Sequence, residues 1–269
     1  MKAFDLLTTA ACVVLAPNWV FAQQASNAPV YVNNCLKVNP DKNSEFRQWA
    51  RETLHKYAQY KVDSGELKSW TLLRAVLPRG TQNSCDYMEI GVFSGMPPKP
   101  TEPKELSDQL KKAGLSMDAE QYAQNERAVS ELAETGMFQT LASIGRMQKG
   151  DYLLINFDKI TDVGKWIDIE RRLWQPIAEV LVKEGTIRGW MASARYVPDG
   201  PAMHFDALTV DVYPSWDGYF RFEANPRSLE LWRQVHPDTD INIASANYAS
   251  VITRVSRELW VVEDMIGAK

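Results

Sequence analysis

The chain has 269 residues and a formal net charge of −4, with no basic cluster to offset it. That balance excludes a nucleic-acid partner and an anionic membrane surface, because phosphate contacts need concentrated Lys and Arg. A hydrophobic fraction of 45% beside a charged fraction of 24% is that of a soluble globular chain able to bury a sizeable core.

The N-terminus has the pattern of an export signal. Lys2 supplies a positive charge, residues 6–15 are apolar, and "VFA" ends at Ala22 with small side chains at Val20 and Ala22. The apolar run is shorter than the roughly 20 residues of a membrane span, and Cys12 lies inside it, which disfavours a lipoprotein. The expectation is a signal peptide over 1–22, a mature chain from Gln23, and a periplasmic or secreted location. Cys35 and Cys85 then remain. In an oxidising compartment an even pair reads either as a disulfide or as two buried thiols.

From there the spacing predicts a strand over 30–38, "VYVNNCLKV". A helix follows, with Phe46, Trp49, Leu54, Tyr57 and Val62 at three-and-four spacing and Asp41 near its start as a cap. Gly65 ends the helix, where a left-handed residue is usual. A second strand opens at Trp70, Pro78-x-Gly80 makes a turn, and a third strand covers 87–93. The stretch ending at Gly145 has helical spacing.

The same order then returns. Residues 182–213 lie on 62–93 without a gap, 120 positions later (182 minus 62), with Gly185, Trp190, Pro198, Gly200 and Asp206 matching Gly65, Trp70, Pro78, Gly80 and Asp86. A strand over 151–160 precedes the second copy. Asp162 caps a helix carrying Trp166, Ile169, Trp174, Ile177 and Leu181. The last stretch, ending at Gly267, matches Gly145 at an offset of 122 (267 minus 145), and Val251, Val255, Leu259, Val262 and Ile266 favour helix over a fourth strand there. The expected fold class is therefore α+β: two ferredoxin-like (split βαβ) units over 23–149 and 150–269, packed as an internal pseudo-dimer through their sheets. Fusion keeps the buried contact of a dimer and removes the entropic cost of association.

The order of elements, with Trp70 and Trp190 opening the second strands, resembles the dimeric α+β barrel superfamily. The resemblance covers essentially 30–269 and rests on topology, so it implies a fold and little chemistry. That superfamily includes small monooxygenases of antibiotic biosynthesis and fused two-unit haem enzymes similar to chlorite dismutases. No local match to the haem-binding segments of the latter is present. If a haem were bound, His236 or His55 would be its axial candidate.

Standard catalytic motifs are absent: there is no GxGxxG, GxxxxGK[ST], HExxH or GxSxG. The spacing of Cys35 and Cys85 gives a zinc site no support, and no cofactor is expected. His55, His204 and His236 are far apart. In the third strands Met88, Ile90 and Val92, and their twins Leu208, Val210 and Val212, must face a core. The opposite faces carry Tyr87 and Glu89, and Asp211 and Tyr213, which read either as a water-facing edge or as a polar pocket. Ala192 and Ala194 replace Leu72 and Arg74 of the first half, leaving room for a ligand or a close helix. The ligand is expected there, with Asp211 and Tyr213 supplying polar groups and Arg195 reaching them from the next strand; Glu89, Tyr87 and His204 are further candidates. "SWDGYFRFEANP" (215–226) reads as an aromatic-rich loop that lids a pocket or packs on a helix.

In the split βαβ arrangement the first strand lies antiparallel beside the third. This makes Cys35 and Cys85 neighbours, while the second half sets Asn156 or Phe157 against Phe205. Such a bridge contributes on the order of 3 to 4 kcal/mol in the chain-entropy model. Two functions are expected from these features. The first is an exported small-molecule-binding or interaction protein without catalysis, a monomeric pseudo-dimer or a homodimer with a small apolar or aromatic ligand. The second is a cofactor-independent monooxygenase acting on such a substrate. A haem enzyme is a distant third.

Overall fold

The structure is a computed structural model. It describes residues 29–78, 85–200, 202–224 and 227–267; the expected export segment and Gly80 lie outside them.

The first unit runs β1 (Val30–Val38), α1, β2 (Leu67–Leu77), β3 (Tyr87–Phe93), α2 (Pro103–Lys112), α3 (Ala119–Val129) and β4 (Ser130–Gly145). Helix α1 joins three segments end to end, Asn43–Trp49, a π-helical turn Ala50–Leu54, and His55–Asp63. The second unit repeats this plan with β5 (Tyr152–Ile160), α4, β6 (Gly189–Val197), β7 (Ala207–Tyr213), α5 (Trp216–Glu223), α6 (Arg227–Val235), α7 (Ile241–Ala249) and β8 (Ile252–Gly267). Helix α4 has the same tripartite build: Val163–Ile169, a π-helical turn Glu170–Trp174, and Gln175–Lys183.

Each unit's sheet has the order β4-β1-β3-β2 or β8-β5-β7-β6. The two sheets join edge to edge, β2 to β8 and β6 to β4, into one closed barrel. The long helices pack outside. Side-chain alternation then defines three cores, one inside the barrel and one under each unit's helices. Met88, Leu208, Val210, Val212, Leu153, Ile155, Trp260 and Val262 fill the barrel interior. Outside it, α1 buries Phe46, Trp49, Ala50 and Leu54 against Leu36, Trp70, Leu72 and Tyr87. On the second unit α4 buries Trp166, Ala178 and Leu181 against Trp190, Ala192, Ala194 and Tyr213.

Gly65 and Gly185 end α1 and α4 at φ +79 and +75, as a left-handed helix terminus requires. Asp162 caps α4 by accepting the Lys165 amide. Asp41 caps nothing: it has φ +60, and Lys42 occupies the cap position of α1 without a side-chain bond.

The fourth strands correct the helical expectation. Each closing stretch is a short helix followed by a 16-residue strand. In β8 the residues Leu259, Trp260, Val261 and Val262 are buried in succession, because one face lies in the barrel and the other touches neighbouring elements. A strand buried on both faces loses its period of two, and its shifts in register against β2 and β5 add three-and-four spacings that mimic a helix.

Cys35 and Cys85 form a disulfide with Cα atoms 5.2 Å apart. In the twin positions Phe157 meets Phe205 with ring centroids 4.7 Å apart, so an aromatic pair stands where the first unit has the bridge. Replacing both cysteines by Ala should lower stability by about 3 to 4 kcal/mol, since the bridge closes a loop of 50 residues; the urea midpoint measures it, and an unchanged midpoint would contradict the loop-entropy argument. Gly145 has φ +68, and a Cβ there would stand 2.1 Å from the Arg188 carbonyl, whereas a Cβ on its twin Gly267 meets nothing. Gly145→Ala should cost on the order of 2 kcal/mol or more, and Gly267→Ala should stay within about 0.5 kcal/mol of the parent in the same titration.

Candidate functional site: the helix-covered cavity of the second unit

Between the second unit's sheet and its helices lies a cavity of about 440 Å³. Its apolar wall is Trp174 and Ile177 of α4, Phe222 of α5, and Leu231 and Trp232 of α6. The sheet side carries polar groups: Asn156 on β5, Thr209, Asp211 and Tyr213 on β7, and Arg254 and Arg257 on β8.

Its wall also includes Glu170, 1% exposed and held in the π-helical turn of α4. The Tyr248 hydroxyl from α7 donates to Glu170 Oε1 at 2.6 Å. Burial is the main cause that pushes the Glu170 carboxyl up to about 8; the Tyr248 bond opposes the rise, and the charges of Asp158 and Asp211 add to it. Burial, reinforced by the Glu170 charge, holds the Tyr248 hydroxyl far above the ordinary phenol range. Next to this pair Arg254 bonds Asp158, which is fully buried, and reaches Asn156 Oδ1 at 2.6 Å. Burial raises the Asp158 carboxyl, and the Arg254 bond works against it. The Trp174 indole stacks edge-on with Trp232 and Tyr248 at 5.8 and 5.9 Å, and its buried Nε1 has no hydrogen-bond partner among the described residues. A π-helical turn often re-aims side chains at functional sites, but the first unit has one too, so the turn alone does not mark this place.

The comparison between twins is more telling. Strand pairing equates Asp158 with Leu36 and Arg254 with Leu132, since each pair holds the same place in its ladder. The matched helices equate Glu170 with Ala50, and the matched strands equate Asp211 with Gly91. One frame thus carries hydrocarbon or nothing at four positions in the first unit and ionisable groups in the second. Packing does not require these charges, because the first unit does without them.

Asp211 and Tyr213, expected at a ligand site, line this cavity. The space expected over Ala192 and Ala194 does not exist. Both alanines are buried against α4 with Trp166 and Leu181, so their small size admits the helix, not a ligand. Arg195 does not reach Asp211. Residues paired across β6 and β7 share a face, and Trp190 pairs with Asp211, which places Arg195 on the barrel side. There its guanidinium bonds Glu134 at 2.6 Å and the Phe205 carbonyl at 3.0 Å, and lies over the Phe138 and Phe205 rings. Glu89 accepts from Trp70 Nε1 and Asn34 Nδ2, and the Tyr87 hydroxyl lies between Asn43 and Arg47; both belong to the first unit's helix packing. Strands β3 and β7 are interior strands under helices, not water-facing edges. His204 lines a separate space inside the barrel. Within the stretch read as a loop, Trp216–Glu223 is helix, started by Ser215 accepting the Gly218 amide, and it gives the cavity Phe222; residues 225 and 226 lie outside the described residues.

Neither haem candidate lines the cavity. His236 Nε2 donates to the Leu173 carbonyl at 2.8 Å and its ring packs on Trp232, while His55, on the first unit's helix α1, has Nδ1 2.7 Å from Asp264 of β8. Among the described residues no histidine, cysteine or methionine is in this cavity's wall, although Tyr213 and Tyr248 are. Among the described residues no helix is long and apolar enough to cross a membrane.

An eight-stranded barrel with helices outside, built from two ferredoxin-like halves, defines the dimeric α+β barrel class, formed here by one chain. Solved structures agree. A proposed monooxygenase of Fusobacterium nucleatum superimposes with a TM-score of 0.56 at 8% identity, over 89% of this chain and 94% of that one. A proposed monooxygenase of Lactobacillus acidophilus gives 0.52 at 10% identity, over 90% and 97%. An anthrone oxidase-like protein also gives 0.52 at 10% identity, over 91% and 95%. At such identities the likeness is one of fold. No known family matches the sequence, and no curated protein does.

The raised Glu170 carboxyl has a measurable sign. It is neutral in the fold and ionised in the unfolded chain between its ordinary value of 4.5 and about 8. Unfolding therefore releases a proton, so stability is greatest below this window and falls through it as pH rises, by up to about 1.4 kcal/mol per pH unit. Glu170→Gln should flatten that slope and stabilise the protein at pH 8, as read from denaturant titrations between pH 5 and 8.5. An unchanged slope would show that Glu170 is not the buried acid.

Proposed function

We propose that the chain is an exported protein that binds a small, largely aromatic molecule in the helix-covered cavity of the second unit. The carrying observation is the set Glu170, Asp158, Arg254 and Asp211 at positions where the twin has Ala50, Leu36, Leu132 and Gly91. Buried ionisable groups cost stability unless they are paired and hydrogen-bonded, so their presence where the twin has none supports a role in binding. The aromatic wall of Trp174, Trp232 and Phe222 suits a planar ring, and Glu170 with Tyr248 suits a polar substituent on it. A cavity of this size and mixed lining is of the kind that takes small ligands.

One observation favours a second reading, catalysis. A carboxyl at about 8 in a desolvated site is tuned to remove a proton near neutral pH. On an activated aromatic ketone such a base would take an acidic C–H proton and leave a carbanion able to react directly with dioxygen. The solved structures of similar fold named as monooxygenase and anthrone oxidase-like support looking for this reaction.

Anthrone tests both readings. Binding is followed by thermal shift, and catalysis by dioxygen uptake. Binding alone requires a rise in melting temperature that is lost in Ile177→Trp, which fills the cavity. Catalysis further requires dioxygen uptake that increases as pH rises through about 8, where Glu170 ionises, and that drops by about a hundredfold or more in Glu170→Gln. Binding without uptake leaves the first reading standing alone. A panel of aromatic ketones, phenols and carboxylates that never shifts the wild-type melting temperature would defeat both.

A further inference from the structure

The barrel interior holds a second cavity, of about 270 Å³, on the far side of the sheet from the first. Hydrocarbon dominates its wall, with Leu73, Met88, Ile90, Leu208, Val210 and Val212 around it. Two polar residues of β1, Tyr31 and Asn33, also line it, 4% and 8% exposed. Among the described residues the Tyr31 hydroxyl and Asn33 Oδ1 are buried without a hydrogen-bond partner, although the Asn33 amide nitrogen is used against Met88 Sδ at 3.3 Å. Buried polar atoms are ordinarily paired, and each exception calls for a reason.

Packing does not supply the reason. Pairing with β3 and β7 equates Tyr31 with Leu153 and Asn33 with Ile155, so the pseudo-symmetric side of the same barrel has hydrocarbon at both places. Both orphaned atoms belong to one strand face, two residues apart. One can donate through its hydroxyl; the other can only accept. Burial keeps the Tyr31 hydroxyl protonated well past the ordinary phenol range, against smaller opposing effects of the neighbouring Ser193 hydroxyl and of Arg195. Ser193 Oγ is itself buried without a partner of normal hydrogen-bond geometry, so the Tyr31 hydroxyl remains a donor.

We infer that the barrel interior is a binding site for a compact bicyclic alcohol or phenol, whose rings rest on the hydrocarbon wall and whose hydroxyl donates to Asn33 Oδ1 while accepting from Tyr31. The volume fits this class, since an apolar cavity of about 150 Å³ takes a single benzene ring. A hydroxyl is the smallest oxygen substituent that satisfies a donor and an acceptor together. This site is independent of the helix-covered cavity: they lie on opposite faces of the sheet, and their walls share only Trp190.

The test is calorimetric titration of the purified protein with 2-naphthol and, separately, with naphthalene. One molecule of 2-naphthol should bind, about tenfold or more tighter than naphthalene, as a satisfied hydrogen-bond pair implies. Asn33→Leu, which gives this position the hydrocarbon character of its twin, should fold at least as stably as the parent and erase the preference for 2-naphthol, with naphthalene unaffected. Val210→Phe should abolish binding of both, with near-ultraviolet circular dichroism confirming its fold. Ile177→Trp, which fills only the helix-covered cavity, should change nothing. Equal affinity for the two compounds, an undiminished preference in Asn33→Leu, or loss of 2-naphthol binding in Ile177→Trp would overturn the inference, the last by moving the site to the other cavity. Failure of anthrone to bind bears on that other cavity alone.

Discussion

Closure of the barrel is the constraint on which everything else rests. A four-stranded sheet of the order β4-β1-β3-β2 has two open edges, and an open edge is a template for wrong pairing. Here β2 pairs with β8 and β4 with β6, each through a long ladder, so each half removes the other's edges. The 16-residue length of β4 and β8 makes this possible, because each spans its own sheet and the seam to the other. Neither half has this closure alone. Fusion into one chain makes the contact intramolecular, so it does not depend on concentration.

Closure also divides the interior into spaces with different chemistry. Every strand turns alternate side chains to a common barrel core and to its own helix layer. A residue's role is therefore set by which of the two it faces. Arg195 and Asp211 sit on adjacent strands yet never meet, and the two cavities are walled from each other by the sheet.

Freed of the need to match each other, the halves have diverged along these two layers. The first unit filled its helix layer with Phe46, Trp49, Leu36 and Trp70 and tied its barrel rim with the Cys35–Cys85 bridge. The second left its helix layer partly open and charged, and replaced the bridge by Phe157 on Phe205. A stable half beside a polar, hollow half divides the labour of fold and site. The first contributes mostly apolar burial; the second carries groups such as Glu170 and Asp158, whose desolvation is unfavourable.

Much of this plan is legible in the residues. The repeat shows two units, Gly65 and Gly185 locate the helix ends, and the alternation of Met88, Ile90 and Val92 identifies a barrel face. The disulfide follows from placing the first strand beside the third. These are local or pairwise signals, and the backbone chemistry behind them acts at short range. Three features were not legible in that way. The closing strand β8 lacks a period of two over Leu259–Val262 because both its faces are buried there, which only the closed barrel brings about. Ala192 and Ala194 are equally consistent with a ligand and a helix, and only the position of α4 decides. Glu170 stood unremarked in a helix, a charged residue among "DIERRLW", and the sole hint was that its twin is Ala50. Its chemistry comes from Tyr248, Asp158 and Arg254, brought to it from α7, β5 and β8. The sequence by itself determined the duplication and every repeated element except the closing strands, because turns, caps and periodicity are written along the chain. Tertiary structure alone decided which groups lose their water and face one another, because burial and its electrostatic consequences depend on segments far apart in that chain.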